Sequence, residues 1–187
     1  MLTLPPLESL GPRICVCGPS NAGKSTLAAA LARRMGVDPT YLDLLHHQPH
    51  TNWVARPREE FDAAHSAAIA RDRWVIEGNY MRLLPERMHR ATGILLLGTD
   101  RWSAFGRYLR RTLFEHQRHG MLDGAQDSLK WVMIRYILIE QPRKRERDIN
   151  LLRATGLPMV QLSSMRELQA AYAVWGLERP PVTSPPA

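Results

Sequence analysis

The sequence Gly18-Pro19-Ser20-Asn21-Ala22-Gly23-Lys24-Ser25-Thr26 matches the pattern G-x-x-x-x-G-K-[ST], the phosphate-binding loop called Walker A. In such a loop, glycines adopt backbone angles that a side chain disfavours, and inward-turned N–H groups form a concavity that binds an anion. A helix starting near Lys24 adds the positive end of its dipole. The motif predicts that Lys24 reaches the β- and γ-phosphates of a nucleotide and that Ser25 ligates Mg²⁺.

The sequence on either side of the loop meets the structural requirement of the motif, a strand before it and a helix after it. Residues 13–17 read as a short buried strand, and residues 26–35 place Leu27, Leu31 and Met35 on one face of a helix that Gly36 ends. A chance match in a glycine-containing turn is the alternative. The residues predicted to bind the nucleotide here are Gly18, Ser20, Asn21, Ala22, Gly23, Lys24, Ser25 and Thr26.

Length and composition indicate one globular domain with anionic partners. The chain has 187 residues, is 44% hydrophobic and carries a formal net charge of +7. This charge favours nucleotides, nucleic acid or acidic membrane surfaces as partners, although an arginine-rich surface alone would give the same total.

The only two cysteines, Cys15 and Cys17, share one face of the first strand and are predicted to be small buried hydrophobes. Without a signal peptide or a run of transmembrane length, we expect a cytoplasmic protein with no membrane partner.

Further strands and helices alternate along the chain, which predicts an α/β fold with a parallel sheet between two helical layers. Strands are predicted at residues 37–43, 74–76, 94–97 and 158–162. Helices are predicted from Pro57 to about Asp72, over 83–89, and after a capping box at 164–167. A single domain over 13–176 would lie between an extended N-terminal extension at 1–12 and a proline-rich tail at 177–187.

Two acidic residues follow strands at the edge where open α/β sheets bind ligands. Asp43 could accept a proton from a substrate hydroxyl or hold a Mg²⁺-bound water, or it could simply cap a helix. Glu77 is a candidate for organising water around Mg²⁺. Gly78, the next residue, would let a ligand approach the backbone closely.

The chain becomes strongly basic after Arg101. Helical spacing places Arg107 and Arg111 on one face, and a second basic cluster follows at 143–147. Two arginine clusters on either side of a mobile segment are what a lid over a triphosphate needs, because guanidinium groups match phosphate oxygens. We therefore predict a lid at about 115–147, with Arg107, Arg143 and Arg147 offsetting charge during phosphoryl transfer and Arg107 and Arg111 binding the nucleotide. A solvated basic face is the alternative.

Several motifs together resemble one family. They are the loop at 18–26, Tyr41-Leu42-Asp43, Trp53 with the helix start at 56–61, and the segment Trp74-Val75-Ile76-Glu77-Gly78-Asn79-Tyr80. Over roughly residues 13–175 the chain resembles the bacterial adenylate-kinase-related P-loop proteins often labelled DNA topology modulation proteins. The resemblance implies a nucleoside-monophosphate-kinase-like P-loop fold with a five-stranded parallel sheet and a helical lid. It also implies ATP and Mg²⁺ as ligands.

The leading functional hypothesis is an enzyme that transfers the γ-phosphoryl group of ATP to a small acceptor, such as a nucleoside, a nucleotide or another hydroxyl metabolite. Lys24, Ser25 with Mg²⁺ and lid arginines would supply positioning and electrostatic stabilisation. Asp43 would orient or deprotonate the acceptor, in a pocket formed by Asp43, Trp53, Gly78, Asn79 and Tyr80.

A nucleotide-dependent nucleic-acid-binding protein is the second hypothesis, supported by the basic charge and by the label of the family. A switch-type GTPase is disfavoured because the chain has no Asn-Lys-x-Asp signature. Neither the acceptor nor the oligomeric state is indicated by the sequence.

Overall fold

Five parallel strands form one sheet in the order β2-β3-β1-β4-β5. The structure is a computed structural model that describes residues 4–114, 119, 120, 122, 131–179 and 181, the side chains of 111 and 114 excepted. The strands are β1 (Arg13–Cys17), β2 (Pro39–Tyr41), β3 (Trp74–Glu77), β4 (Gly93–Leu97) and β5 (Met159–Leu162). The predicted five-stranded parallel sheet is confirmed.

Helices cover both faces of the sheet. They are α1 (Lys24–Met35), α2 (Leu42–His46), α3 (Arg58–Ala70), α4 (Leu84–Arg90), α5 (Arg101–Phe114), α6 (Trp131–Arg135), α7 (Gln141–Arg153) and α8 (Met165–Val174). Within the described ranges, no helix is long and apolar enough to span a lipid bilayer.

Alternation along the central strand creates the two cores. Ile14 and Val16 pack into one buried cluster with residues of α1 and α8. Cys15 and Cys17 point to the other face and pack with residues of α3, α4 and α7. This is the two-residue period of a strand that is covered on both sides, and it confirms that both cysteines are buried.

The second strand is shorter than predicted, and Asp43 is not part of it. β2 ends at Tyr41, and Leu42 begins helix α2, so that Asp43 lies in the first turn of a helix. Leu42 is fully buried in the second core cluster. The helix therefore begins where this leucine enters the core, and the strand ends two residues before its predicted end.

A π-helical turn, Tyr136–Glu140, joins α6 to α7. The sequence predicts a helix that carries Trp131, Ile134 and Leu138 on one face, whereas Ile137 is the fully buried residue and Trp131 is 76% exposed. A π turn contains more residues than an α turn, so it shifts the face that meets the core. Ser128, the predicted cap of this helix, lies outside the described residues.

Both ends of the described chain contribute to the core. Leu7–Leu10 is a 3-10 turn whose leucines are buried, so the predicted extended lead-in is wrong there. Near the other end, the indole N–H of Trp175 donates to the Pro5 carbonyl at 2.9 Å, and Leu177 is buried in the same cluster. The core thus extends a few residues beyond both predicted domain limits.

Candidate functional site

The glycine-rich loop leads from β1 into α1 through three left-handed backbone positions. Gly18, Asn21 and Gly23 have φ values of 139°, 61° and 89°. A Cβ on Gly18 would lie 2.4 Å from the Leu97 carbonyl oxygen, so no larger residue fits beside β4. When right-handed and left-handed backbone conformations alternate in this way, successive N–H groups of a loop point inward and form a concave surface that can bind an anion.

Lys24 and Ser25 meet Glu77 at the mouth of this loop. Lys24 Nζ lies 3.4 Å from Glu77 Oε1 and donates to the Pro19 carbonyl at 3.0 Å. The Ser25 hydroxyl donates to Glu77 Oε2 at 3.3 Å. The hydroxyl and the carboxylate together supply the hard oxygen ligands that Mg²⁺ prefers. Both predicted metal ligands therefore lie in direct contact, next to the predicted catalytic lysine.

Glu77 is only 5% exposed. Burial raises the pKa of its carboxyl group, and the nearby Asp43 carboxylate adds to the rise, whereas Lys24 and Ser25 lower it. The net direction is upward, so Glu77 holds its proton to a higher pH than an exposed glutamate does. An arriving divalent cation would reverse this balance by favouring the charged form.

Asn79 holds the start of the glycine-rich loop, called the phosphate loop below, by two hydrogen bonds. Its side-chain oxygen accepts from the Gly18 N–H at 3.0 Å, and its amide donates to the Gly18 carbonyl at 3.0 Å. The sequence predicts that Gly78 lets a ligand approach the backbone, but the structure gives a different reason for a glycine at this position. Its φ is 131°, and a Cβ there would lie 2.9 Å from the Leu42 Cβ, so it is helix α2 that approaches the backbone at this position.

Asp43 pairs with Tyr80 beside Glu77. The Tyr80 hydroxyl donates to Asp43 Oδ1 at 2.7 Å. Burial, followed by the Asp43 carboxylate, raises the pKa of Tyr80, so that the hydroxyl stays protonated and remains a donor. Trp53 stacks edge-on against His47, with ring centroids 5.2 Å apart, on the same helix–loop unit that carries Asp43. The structure therefore brings four of the five predicted acceptor residues, Asp43, Gly78, Asn79 and Tyr80, to the loop, with Trp53 further out.

Arg107 of α5 contacts the phosphate loop directly. Its Nε donates to the Asn21 carbonyl at 2.6 Å, and its Nη2 donates to the Thr99 hydroxyl. The predicted partner on the same helical face, Arg111, lies in α5 with its side chain outside the described residues. Of the predicted lid, Gly120 lies close to Tyr41 and Ser25, since a Cβ on it would lie 3.0 Å from the Tyr41 ring and 3.4 Å from the Ser25 hydroxyl.

Arg143 and Arg147 do not lie where the lid prediction needs them. Both line a separate surface hollow with Glu146, and Arg147 pairs with Asp148 at 2.9 Å. The helical face of α7 that meets the phosphate loop begins instead with Gln141, whose Oε1 accepts from the Ser20 N–H at 2.8 Å. The i, i+4 spacing of Gln141 and Arg145 places both residues on one face of α7, but no signal in the sequence indicates that this face meets the loop.

A cavity of about 310 Å³ opens between the loop, the end of β4 and α7. Gly18, Pro19 and Asn79 form its edge on the side of the loop. Its other walls include apolar side chains, Met81, Leu96, Leu97, Ile149 and Leu152, and charged ones, Asp100, Arg101, Lys144, Arg145 and Asp148. The volume is at the small end of the range for sites that bind metabolites.

Comparisons with known proteins bear on the fold. The sequence matches no protein-family model and no curated protein. The structure matches shikimate kinase from Acinetobacter baumannii in complex with shikimate, with a TM-score of 0.57, 15% identity, and 89% of this chain and 92% of that chain covered. This chain therefore shares the fold of that protein, in which helices cover both faces of a five-stranded parallel sheet. A gluconokinase from Sinorhizobium meliloti 1021 matches with a TM-score of 0.48, 18% identity and coverage of 88% and 93%, a similarity too low to support an argument.

Proposed function

We propose that this protein is an ATP- and Mg²⁺-dependent phosphotransferase that acts on the hydroxyl group of a small acceptor. The observation that carries the proposal is the contact of Lys24, Ser25 and Glu77 at the mouth of the glycine-rich loop, with the Asp43–Tyr80 pair beside it. A polyphosphate, a divalent cation and an acceptor hydroxyl each find a suitable group there. Mg²⁺-ATP supplies the phosphoryl group when it is bound.

Each residue would have a defined part in this reaction. Lys24 would exchange its contact with Glu77 for the phosphates, and Ser25 with Glu77 would hold the cation or its water. Asp43, held in place by the Tyr80 hydroxyl, would orient the acceptor hydroxyl and take its proton. Arg107 is anchored on the loop and would add positive charge beside the nucleotide.

The cavity next to the loop is the proposed place for the body of the acceptor. Its apolar walls would cover a carbon skeleton, and its edge is formed by Gly18 and Pro19 of the loop and by Asn79, which is hydrogen-bonded to Gly18. An acceptor bound there would lie directly beside the loop that is proposed to hold the phosphates.

Four of the five charged side chains on the cavity wall have a partner among the described residues. Arg101 is one of them, since its guanidinium carbon lies 5.4 Å from the centroid of the Trp102 ring. Asp100 accepts from the N–H groups of Trp102 and Ser103, Lys144 lies 3.7 Å from Glu140, and Asp148 pairs with Arg147. Arg145, whose Nη2 lies 3.3 Å from the position of a Cβ on Gly98, forms no hydrogen bond or ion pair with any residue that the structure describes. A guanidinium with no such partner in the described part of the chain, next to apolar walls, favours an acceptor with a carboxylate or phosphate group.

An ADP-release assay tests the proposed reaction. We expect Mg²⁺-dependent release of ADP when hydroxylated metabolites, nucleosides and nucleoside monophosphates are added one at a time, and calorimetric binding of Mg²⁺-ATP without any acceptor. DNA is a separate addition that tests the DNA topology modulation label suggested by the resemblance. A protein that binds no Mg²⁺-ATP, or whose ADP release depends only on DNA, is not the enzyme proposed here.

The substitution Arg145→Gln tests the acidic acceptor. Each acid is assayed beside its neutral primary amide, for example meta-hydroxybenzoate beside meta-hydroxybenzamide, with hydroxyalkyl phosphates as a third arm. We expect the preferred acid to lose about tenfold in kcat/KM in the variant, because a charge-assisted bond is lost, while the amide and the affinity for ATP are unchanged. Arg166→Gln removes an exposed arginine outside the cavity and serves as the control. Equal losses for acid and amide would argue against this role.

A further inference from the structure

Arg87 is the one fully buried arginine among the described residues. It belongs to α4 and lies beside Cys15 and Cys17, which are part of the apolar cluster that contains Trp74, Leu84 and Met88. Its Nε and Nη1 have no hydrogen-bond partner in the described part of the chain, and no carboxylate forms an ion pair with it there. A buried cation without a counter-charge costs several kcal/mol, so a role beyond filling space is needed to explain its presence.

The two cysteine thiols next to Arg87 do not neutralise it. Burial raises the pKa of both Cys15 and Cys17, and the guanidinium lowers it by less. The thiols therefore stay protonated, and they are weak hydrogen-bond acceptors. His65 is also close, and burial followed by the charge of Arg87 lowers its pKa, so the ring is neutral. Backbone carbonyls are the strong acceptors that remain.

Those carbonyls belong to the segment that holds the phosphate loop. Arg87 Nη2 donates to the Gly78 carbonyl at 3.1 Å and to the Asn79 carbonyl at 2.7 Å. The side chain of Asn79 in turn makes both hydrogen bonds to Gly18. Asn79 thus links the buried guanidinium, which binds its backbone carbonyl, to the first residue of the loop, which its side chain binds.

We infer that Arg87 is a positioning residue for the phosphate loop, acting through the backbone of Gly78 and the side chain of Asn79. Gly78 has a positive φ of 131°, and a Cβ there would lie 2.9 Å from the Leu42 Cβ, so the hydrogen bond from Arg87 holds a backbone position that only glycine fits. With Arg87 in place, its hydrogen bonds fix the backbone of Gly78 and Asn79, the segment after β3. The Asn79 side chain in turn holds Gly18 in the backbone conformation that the anion-binding loop needs. The nucleotide-affinity part of the test below rests on the proposed function, whereas its amide-exchange part does not.

The test compares Arg87→Met with Arg90→Met, a matched control on the same helix. Arg90 also donates to two backbone carbonyls, those of Ile69 and Ala70, at 3.3 and 3.0 Å, but this segment does not touch the loop. We expect Arg87→Met to weaken Mg²⁺-ATP binding about tenfold and Arg90→Met to leave it unchanged. Arg87→Lys, which keeps the charge but not the planar fork, should fall between wild type and Arg87→Met.

Hydrogen exchange supplies a readout that does not depend on nucleotide. The Gly18 amide, which donates to Asn79, should exchange faster in Arg87→Met than in Arg90→Met when the two variants have equal global stability. In the double variant Arg87→Met/Asn79→Ala, the loss of affinity should be less than the product of the two single losses, since both act on one clamp.

Several outcomes decide between this inference and a purely structural arginine. Wild-type affinity and wild-type Gly18 exchange in a folded Arg87→Met protein overturn the inference, as do equal effects of the two methionine variants. Should Arg87→Met not fold, Arg87→Lys is measured in its place, and wild-type values in that variant also overturn it. If wild-type protein binds no Mg²⁺-ATP, the proposed function fails, and Gly18 exchange alone decides the role of Arg87.

Discussion

Replacing Lys24 with alanine is expected to lower the rate of ADP release about a thousandfold, the scale at which a single cation acting on a transferring phosphoryl group contributes. Lys24 Nζ is held between the Pro19 carbonyl and Glu77, at the mouth of the loop where a polyphosphate would lie. Alanine leaves no cation there to offset the charge that develops on the phosphates. The measurement is ADP release at saturating Mg²⁺-ATP.

The fold should survive this substitution. Glu77 loses its counter-charge in the variant, but it can take up a proton instead of remaining charged in a buried site. Thermal unfolding followed by circular dichroism should therefore show one cooperative transition. Arg34→Ala, which removes an exposed positive charge from the same helix, is the control and should keep wild-type activity. A Lys24→Ala protein with wild-type turnover would exclude the proposed chemistry.

Replacing Glu77 with glutamine is the second change with a large expected effect, a loss of about 100-fold in turnover at saturating Mg²⁺. The amide keeps the size of the side chain and can still contact Lys24 and Ser25. It cannot supply the negative charge that would hold a divalent cation or its water in the proposed reaction. The Mg²⁺ concentration that gives half-maximal activity should rise, which separates a weaker metal site from general damage. Glu59→Gln, an exposed glutamate in the first turn of α3, provides the control.

The pH profile gives an independent check on Glu77. Because burial raises the pKa of this carboxyl group, the charged form needed for the metal disappears at a higher pH than it would for an exposed glutamate. Activity should thus fall on an acid limb as the pH drops through that raised pKa, and high Mg²⁺ should move the limb to lower pH. The same shift affects the stability of the fold. Between the pKa of Glu77 in the unfolded chain and its raised pKa in the folded protein, the unfolded chain has released the proton that the folded protein still holds. The free energy of unfolding therefore decreases as the pH rises through this range. A Glu77→Gln enzyme that keeps the same acid limb would show that another group titrates.

The phosphate loop and the strand ends could be predicted because local sequence determines them. Gly18, Gly23, Lys24 and Ser25 belong to a motif whose spacing fixes backbone geometry, and the carboxyl ends of parallel strands meet at one edge of the sheet. Glu77 and Asn79 follow from the same rule once β3 is recognised. For these residues, the sequence was sufficient to place the side chains beside the loop.

The residues whose position depends on helix phase or on distant packing could not be predicted. A π turn before α7 sets which side chains face the loop, so Gln141 and Arg145 meet the site while Arg143 and Arg147 turn to another surface. Arg87 looks like any basic residue of a surface helix in the sequence. Its burial and its acceptors depend on how α4 packs against β1 and the segment after β3, which no local pattern encodes.

The hydrogen bond between Trp175 and the Pro5 carbonyl means that residues near the two ends of the described chain meet. Joining them by a short flexible linker would close the polypeptide into a ring with little distortion, and the ring could be reopened elsewhere. The exposed turn between α7 and β5 is one such place, far along the strands from the glycine-rich loop. A circular permutant cut there would carry its new ends, and any fusion partner, away from the edge of the sheet that carries the glycine-rich loop.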